Sequence, residues 1–155
     1  MSRHSVTPAS VEVMSALPLF PDSAAVEGGE LRLGGASASS LVEAHGTPLV
    51  VYCEQTLRAR ARVYCEAAGD ADVLYSVKAF PSVAVLRVFA EEGLGCDVAS
   101  GGELHLALKA GFEPARLYLH GNAKGEDELA AAIAAGVGTV VVDNLEDVAK
   151  LARVL

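Results

Sequence analysis

Residues 73–98 read VLYSVKAFPSVAVLRVFAEEGLGCDV, and the alternation within this segment indicates the architecture of the chain. Residues 73–77 form an almost continuous apolar run, which is typical of a strand buried on both faces. Residues 82–92 place apolar side chains at helical spacing, and Gly93 ends that segment. A second apolar run follows at residues 94–98. This order predicts two parallel strands covered by a helix.

The same unit recurs towards the end of the chain. Apolar runs begin at residues 73, 94, 116 and 139, at nearly equal intervals, and a helix-like segment follows each of them. The predicted strands span residues 73–77, 94–98, 116–120 and 139–143, and the predicted helices span residues 82–92, 102–110, 125–135 and 144–155. Two α/β architectures fit, a doubly wound open parallel sheet and the first half of a (β/α)8 barrel of the TIM type. A leucine-rich solenoid does not fit, because its Leu and Asn positions do not recur.

The residues before this repeat divide into two segments. Residues 1–30 form a poorly patterned leader, for which we expect partial disorder. Residues 31–70 contain three predicted elements, a helix at residues 38–45, a strand at residues 49–52 and a helix at residues 55–68. Ser37 is positioned to cap the first helix, and Gly46 to end it. The four strand–helix units then occupy residues 71–155.

Composition and charge restrict the possible functions. The chain has 155 residues, a formal net charge of -8 and a pI of about 4.9. Binding to nucleic acid phosphates needs clustered Lys and Arg, so this balance argues against a nucleic-acid partner. Apolar residues make up 52% of the chain, which is enough for a sizeable core.

The cysteines and the termini provide no sign of a metal site or of membrane targeting. Cys53, Cys65 and Cys96 are widely spaced and form no Cys-x-x-Cys pair, so we expect reduced thiols and no bound zinc. No signal peptide is recognisable at the N-terminus, and no apolar stretch approaches the roughly 20 residues that span a bilayer. We therefore expect a cytoplasmic protein without a membrane partner.

Lys78 is the residue most indicative of chemistry. It follows the first strand of the repeat, and the carboxyl ends of parallel strands form the face at which such folds bind ligands. A lysine amine at this position can form a Schiff base with a carbonyl compound. The alternative is a surface lysine whose amine extends into water.

Three motifs carry a resemblance to a known family. Residues 75–80, YSVKAF, resemble the cofactor-lysine motif of the alanine-racemase-like decarboxylases, the fold-type III enzymes that depend on pyridoxal 5'-phosphate (PLP). Residues 95–104, GCDVASGGEL, and residues 120–124, HGNAK, resemble the second-strand and third-strand motifs of the diaminopimelate decarboxylase family. The motifs occur in the family's order, each at the end of a predicted strand, and the similarity covers about residues 30–155.

The resemblance implies a barrel, a cofactor and a reaction. Lys78 is implied to hold PLP, and Asp97, His120 and Asn122 to line the same face. The implied reaction is the decarboxylation of meso-2,6-diaminopimelate to L-lysine and CO2, a step of lysine biosynthesis. Two of these residues have simpler interpretations, Asp97 as a helix-capping carboxylate and His120 as a hydrogen-bonded histidine at a strand end.

The resemblance also implies parts that this sequence does not contain. Members of the family are homodimers, with a C-terminal β domain and a later glycine-rich loop for the cofactor phosphate. We therefore expect a truncated chain that is inactive alone, with residues 31–70 contributing to the β domain and to the barrel entry. A half-barrel leaves two sheet edges unpaired, so it should be poorly soluble alone or pair with a second copy. Gly101 and Gly102 open a helix that could bind an anion, although not the cofactor phosphate.

Two alternatives to this reaction remain open. Decarboxylases acting on ornithine, arginine or carboxynorspermidine share the fold, but the ornithine-type and arginine-type enzymes fit the second and third motifs less well. A non-catalytic PLP-binding barrel protein would lack the β domain, which agrees with a short chain but not with those two motifs.

Overall fold

The computed structural model of the protein describes residues 17–155. The chain divides into two compact units, Met1–Ala59 and Arg60–Leu155. Most of the predicted leader, residues 1–16, lies outside the described residues. No helix of the described part is long and apolar enough to cross a membrane.

The first unit contains a small antiparallel sheet that the sequence pattern did not predict. Its strands are β1 (Ala25–Glu27), β2 (Glu30–Leu33) and β3 (Ala36–Ser37), paired in that order. Gly28 and Gly29 connect the first two strands, and both have positive φ, as a two-residue hairpin turn requires. A 3-10 turn at Leu17–Leu19 precedes the sheet. Residues 17–30 therefore contain regular structure within the segment that lacked a sequence pattern.

Helix α1 (Ala38–His45) has the predicted bounds. The Ser37 hydroxyl accepts a hydrogen bond from the Ser40 amide, and Gly46 ends the helix with a φ of 76°. Ser, with its short side-chain oxygen, and Gly, which tolerates positive φ, are the residues that these two positions favour.

The predicted strand at residues 49–52 is wrong. These residues form no strand, and no strand of the described residues pairs with them. Val50 is 79% exposed, so the apolar run is not buried either. Apolar β-branched residues favour an extended backbone, but a strand exists only where a neighbour completes its hydrogen bonds. Helix α2 (Glu54–Ala68) follows, one residue longer at its start than predicted.

The second unit contains the four predicted strands in one parallel sheet, each shorter than its predicted range. They are β4 (Leu74–Ser76), β5 (Gly95–Val98), β6 (Leu117–Leu119) and β7 (Thr139–Val140), and they are neighbours in sequence order. A doubly wound sheet reverses its strand order at a switch point, whereas a barrel keeps neighbours in sequence order. The order thus matches the first half of a barrel.

Four helices accompany these strands, each within one residue of its prediction. They are α3 (Val83–Glu91), α4 (Gly101–Ala110), α5 (Glu126–Ala135) and α6 (Leu145–Val154). The core contains side chains from the strands and from the helices, among them Leu86, Cys96, Val98, Leu104, Leu117, Leu119 and Leu129. This burial holds the carboxyl ends of β4, β5 and β6 side by side.

Candidate functional site

Three polar side chains meet at the carboxyl edge of the parallel sheet. Ser76 ends β4, Asp97 is the third residue of β5 and His120 directly follows β6. The Ser76 hydroxyl donates a hydrogen bond to Asp97 Oδ2 at 2.9 Å. Asp97 Oδ1 lies 3.6 Å from His120 Nδ1, within range of charge attraction when the imidazole is protonated. We call these three residues the edge cluster.

The edge cluster depends on strand register. Ser76 pairs with Asp97 across β4 and β5, and the His120 amide donates to the Val98 carbonyl at 2.8 Å. Because all strands are parallel, their carboxyl ends point to the same side of the sheet. The sequence predicted Asp97 and His120 for this site, and the structure brings them together. It did not predict Ser76, although that residue belongs to the lysine motif.

Lys78 lies at the same edge, in a 3-10 turn rather than in the strand. The strand ends at Ser76, and the turn Val77–Ala79 follows. Val77 is fully buried and holds the turn against the core, while Lys78 is exposed. Within the described residues the Lys78 amine has no hydrogen bond or ion pair.

Asn122 lies in the loop formed by residues 121–125, directly after His120. Gly121 has a φ of 108°, and a Cβ at this position would lie 2.9 Å from the Ala99 carbonyl oxygen. A glycine is therefore needed where the loop crosses the end of β5. Asn122 is exposed and makes no polar contact with the described part of the chain. It flanks the edge cluster without joining it.

A second polar group, the buried cluster, lies behind this loop and was missed by the sequence analysis. Lys124 is only 2% exposed, and its Nζ lies 2.7 Å from Asp147 Oδ2 and 3.5 Å from Asp143 Oδ1. It also donates to the Gly121 carbonyl. The nearby Lys124 ammonium lowers the pKa of Asp147, which is 1% exposed. The cluster consists of Lys124, Asp143 and Asp147.

The start of helix α4, considered above as an anion site, is occupied by the protein's own carboxylates. The Gly101 amide donates to Glu128 Oε1 at 2.7 Å, and the Gly125 amide donates to Glu128 Oε2 at 3.1 Å. These amides lower the pKa of Glu128. The Ala99 amide donates to Glu103 Oε2 at 2.7 Å. Amides that already bind carboxylates leave little attraction for an external anion.

Cys96 precedes Asp97 in β5, and its surroundings disfavour the thiolate form. Its side chain is fully buried, and burial, with a contribution from the charge of Asp97, raises the pKa of the thiol to about 12. A neutral, buried thiol is a poor nucleophile and a poor metal ligand. The chemistry of this edge therefore rests on its amine, imidazole, carboxylate, amide and hydroxyl groups.

Residues 54–155 match a family model described as "Pyridoxal-dependent decarboxylase, pyridoxal binding domain". Two similar curated proteins, from Actinosynnema pretiosum subsp. auranticum and Bacillus subtilis (strain 168), are both named diaminopimelate decarboxylase. The first is 46% identical over 133 residues, covering 86% of this chain and 30% of that protein. The second is 46% identical over 127 residues, covering 79% of this chain and 29% of that protein. The chain thus spans about three tenths of the curated relatives that it matches.

Solved structures support the same relationship. A crystal structure of a protein from Aquifex aeolicus superposes with a TM-score of 0.81 at 34% identity, covering 84% of this chain and 33% of the other. The diaminopimelate decarboxylase of M. jannaschii, in complex with L-lysine, superposes with a TM-score of 0.76 at 27% identity, covering 86% of this chain and 32% of the other. The half-barrel of the second unit is therefore a known arrangement.

Proposed function

Because the chain belongs to the family of pyridoxal-dependent decarboxylases, we propose that it forms part of an enzyme that converts meso-2,6-diaminopimelate to L-lysine and CO2. PLP is the cofactor that this family uses, as the sequence predicted. The observation that carries the proposal is the amine of Lys78 at the same sheet edge as Asp97 and His120.

The residues at this edge fit PLP. The cofactor is an aldehyde, and it needs an accessible lysine amine; the amine of Lys78 is exposed and has no partner within the described residues. Asp97, His120 and Asn122 would surround it with a carboxylate, an imidazole and an amide. The amides at the start of α4 are already bound to Glu103 and Glu128, so these amides are not proposed to hold the cofactor phosphate.

The roles of these residues follow from their contacts. Bound PLP supplies an electron sink for the electron pair that stays on the α-carbon when CO2 leaves. Lys78 binds the cofactor through its amine. Ser76 holds Asp97 Oδ2, which keeps Asp97 Oδ1 directed at His120. Asp97 Oδ1 and His120 Nδ1 would then face each other beside the bound cofactor.

The relatives favour diaminopimelate over other substrates. The curated proteins described above carry that name at 46% identity, and a solved relative of that name contains L-lysine. A lysine/ornithine decarboxylase from Vibrio vulnificus is also similar, at 28% identity. Its TM-score of 0.68 is lower than the 0.76 of the M. jannaschii diaminopimelate decarboxylase. Ornithine, arginine or carboxynorspermidine decarboxylation and non-catalytic PLP binding are the competing functions.

We extend the proposal to the organisation of the whole protein. Residues 31–70 would contribute to an N-terminal β domain and to the barrel entry, residues 71–155 would be the first four units of a PLP-binding barrel, and the enzyme would work as a cytoplasmic homodimer. Light scattering on the protein expressed from its complete reading frame tests the dimer, and a monomer at micromolar concentration would contradict it.

The central test compares Lys78→Ala with Lys109→Ala in the same full-length protein. Lys109 is exposed on α4, so its replacement controls for the loss of one surface charge. We expect the unchanged protein and Lys109→Ala to show PLP absorbance and, after borohydride reduction, the added mass of PLP on the peptide that contains Lys78. Lys78→Ala should show neither signal. CO2 release should be measured with diaminopimelate, ornithine, arginine and carboxynorspermidine. PLP retained by Lys78→Ala would overturn the lysine assignment, and release from another substrate alone would overturn the reaction.

A further inference from the structure

We propose that Lys124 is a positioning residue, which holds the loop of residues 121–125 and thereby fixes Asn122 at the carboxyl edge of the sheet. The link to cofactor binding rests on the proposed function, whereas the link to loop position does not. Lys124 is the last residue of the HGNAK motif, yet its side chain points away from solvent and is 2% exposed. Lys124 can therefore affect the site only through the residues that it contacts inside the protein.

The contacts of Lys124 close the loop and attach it to α6. Its Nζ donates to the carbonyl of Gly121, at the opposite end of the same loop. The same Nζ lies 2.7 Å from Asp147 Oδ2, in the first turn of α6. The Lys124 carbonyl accepts a hydrogen bond from Lys150 Nζ at 3.1 Å, one turn further along that helix. Side chain and backbone of Lys124 are both held by α6.

Asn122 makes no polar contact with residues 17–155, so its neighbours determine its position. Before it, the His120 amide is bonded to the Val98 carbonyl, and Gly121 lies against Ala99. After it, Lys124 is held in the buried cluster, and the Gly125 amide donates to Glu128. Of the contacts after Asn122, those of Lys124 are the nearest in sequence.

Stability alone does not explain a lysine at this position. Removing an ammonium and a carboxylate from water costs free energy that their attraction only partly recovers, and apolar pairs of similar volume are often equally stable. A lysine offers something that an apolar residue lacks, because its ammonium donates to the Gly121 carbonyl and also lies within ion-pair distance of Asp143 and Asp147. The buried pair is thus better suited to fixing one loop conformation than to adding stability.

The test separates positioning from stability with three variants of the full-length protein. Lys124→Met removes the ammonium that lies 2.7 Å from Asp147 Oδ2, and Lys124→Met with Asp147→Leu replaces both members of that pair by apolar groups. Lys109→Met is the control at an exposed lysine. Hydrogen exchange and amide resonances of residues 121–125 are measured without cofactor, and the Kd for PLP by absorbance titration. For the double variant we expect a free energy of unfolding close to that of the unchanged protein. Amide hydrogen exchange in residues 121–125 should be faster, and the Asn122 amide resonance should shift. The Kd for PLP should rise by about tenfold, as for the loss of one ordinary contact.

Each outcome decides one of the two proposals. If the amide exchange rates and resonances of residues 121–125 in the double variant equal those of the unchanged protein, Lys124 is only a structural residue and the inference is overturned. This conclusion holds even where Lys78→Ala abolishes PLP binding. If the loop moves but the unchanged protein binds no PLP, loop positioning holds and the proposed function fails. If Lys124→Met does not fold, the double variant and Asp147→Asn, which removes one charge without changing shape, provide the same readings.

Discussion

The edge cluster and the buried cluster each pair an acid with a base, and they differ in exposure. In the edge cluster the side chain of His120 is 51% exposed and that of Asp97 is 21% exposed, with 3.6 Å between their closest polar atoms. In the buried cluster Lys124 and Asp147 are 2% and 1% exposed and 2.7 Å apart. The first pair is open to a ligand and loosely held, whereas the second is closed to solvent and tightly held.

This difference shows that the side chains that face a ligand and the side chains that stabilise their positions lie in different places around a parallel sheet. The edge cluster follows directly from strand ends, where side chains leave the sheet and face solvent. The buried cluster lies one layer further back, between a loop and the first turn of a helix. The following variants test this division of roles between the two clusters.

Replacing Asp147 by Ala should destabilise the protein strongly, whereas replacing Asp97 by Ala should not. The first change leaves the buried Lys124 ammonium with only the more distant Asp143 carboxylate, 3.5 Å away. The second removes one member of a partly exposed pair, whose contribution is about 1 kcal/mol or less. Urea unfolding followed by circular dichroism should show a midpoint shift several times larger for Asp147→Ala. Equal shifts would contradict the distinction between a supporting and a ligand-facing cluster.

Local sequence signals predicted the helices of both units and the parallel strands of the second unit. Ser37 and Gly46 define α1 because capping depends on residues within one turn. The strand predicted at residues 49–52 failed because pairing depends on a distant partner that a local pattern does not contain. The antiparallel sheet β1–β3 was missed because its strands are short and only partly buried. The Gly28-Gly29 pair was the local signal that could have revealed it.

The candidate site was only partly predictable for the same reason. The motifs place Lys78, Asp97, His120 and Asn122 at strand ends, and the structure puts all four at one edge of the sheet. Nothing near Lys124 in sequence indicates that it reaches Asp147, because that contact forms only when α6 packs behind the loop. Likewise, Glu128 reads as an ordinary first-turn carboxylate, although it also bonds the first residue of α4.

Gly121→Ala tests whether the loop between the two clusters tolerates any change of backbone. The substitution places a Cβ 2.9 Å from the Ala99 carbonyl oxygen and requires a left-handed conformation at φ 108°. We expect a loss of about 2 kcal/mol in the free energy of unfolding. Gly102→Ala is the matched control, because its Cβ would meet nothing closer than Ser100 Oγ at 3.9 Å. A loss as small as that of the control would mean that the loop adapts freely.

Glu128→Gln tests whether the carboxylate that joins α4 and α5 acts through its charge. Hydrogen bonds from the Gly101 and Gly125 amides lower the pKa of Glu128 from its ordinary value of 4.5. A group with a lowered pKa in the folded state stabilises above its unfolded pKa, and this contribution is lost as the pH falls through the folded value. We expect the variant to lose about 1 kcal/mol at pH 7.

The pH dependence of this loss separates charge from hydrogen bonding. The difference in unfolding free energy between the unchanged protein and Glu128→Gln should be constant above about pH 5 and should shrink as the pH falls below 4.5. Asp127→Asn, at an exposed carboxylate in the same helical turn, is the control for a general charge effect. A difference that does not change with pH would assign the effect to geometry alone.

Ser76→Ala should have the mildest effect on stability and should act on the edge cluster alone. It removes the 2.9 Å hydrogen bond to Asp97 Oδ2, and the partly exposed carboxylate can bind water instead. We therefore expect a loss of about 0.5 kcal/mol in urea unfolding, together with weaker PLP binding because Asp97 Oδ1 is no longer held towards His120. Ser82→Ala is the matched control, since the Ser82 hydroxyl makes no capping bond to α3. If both variants bind PLP equally well, Asp97 does not need Ser76, and the edge cluster reduces to the Asp97–His120 pair.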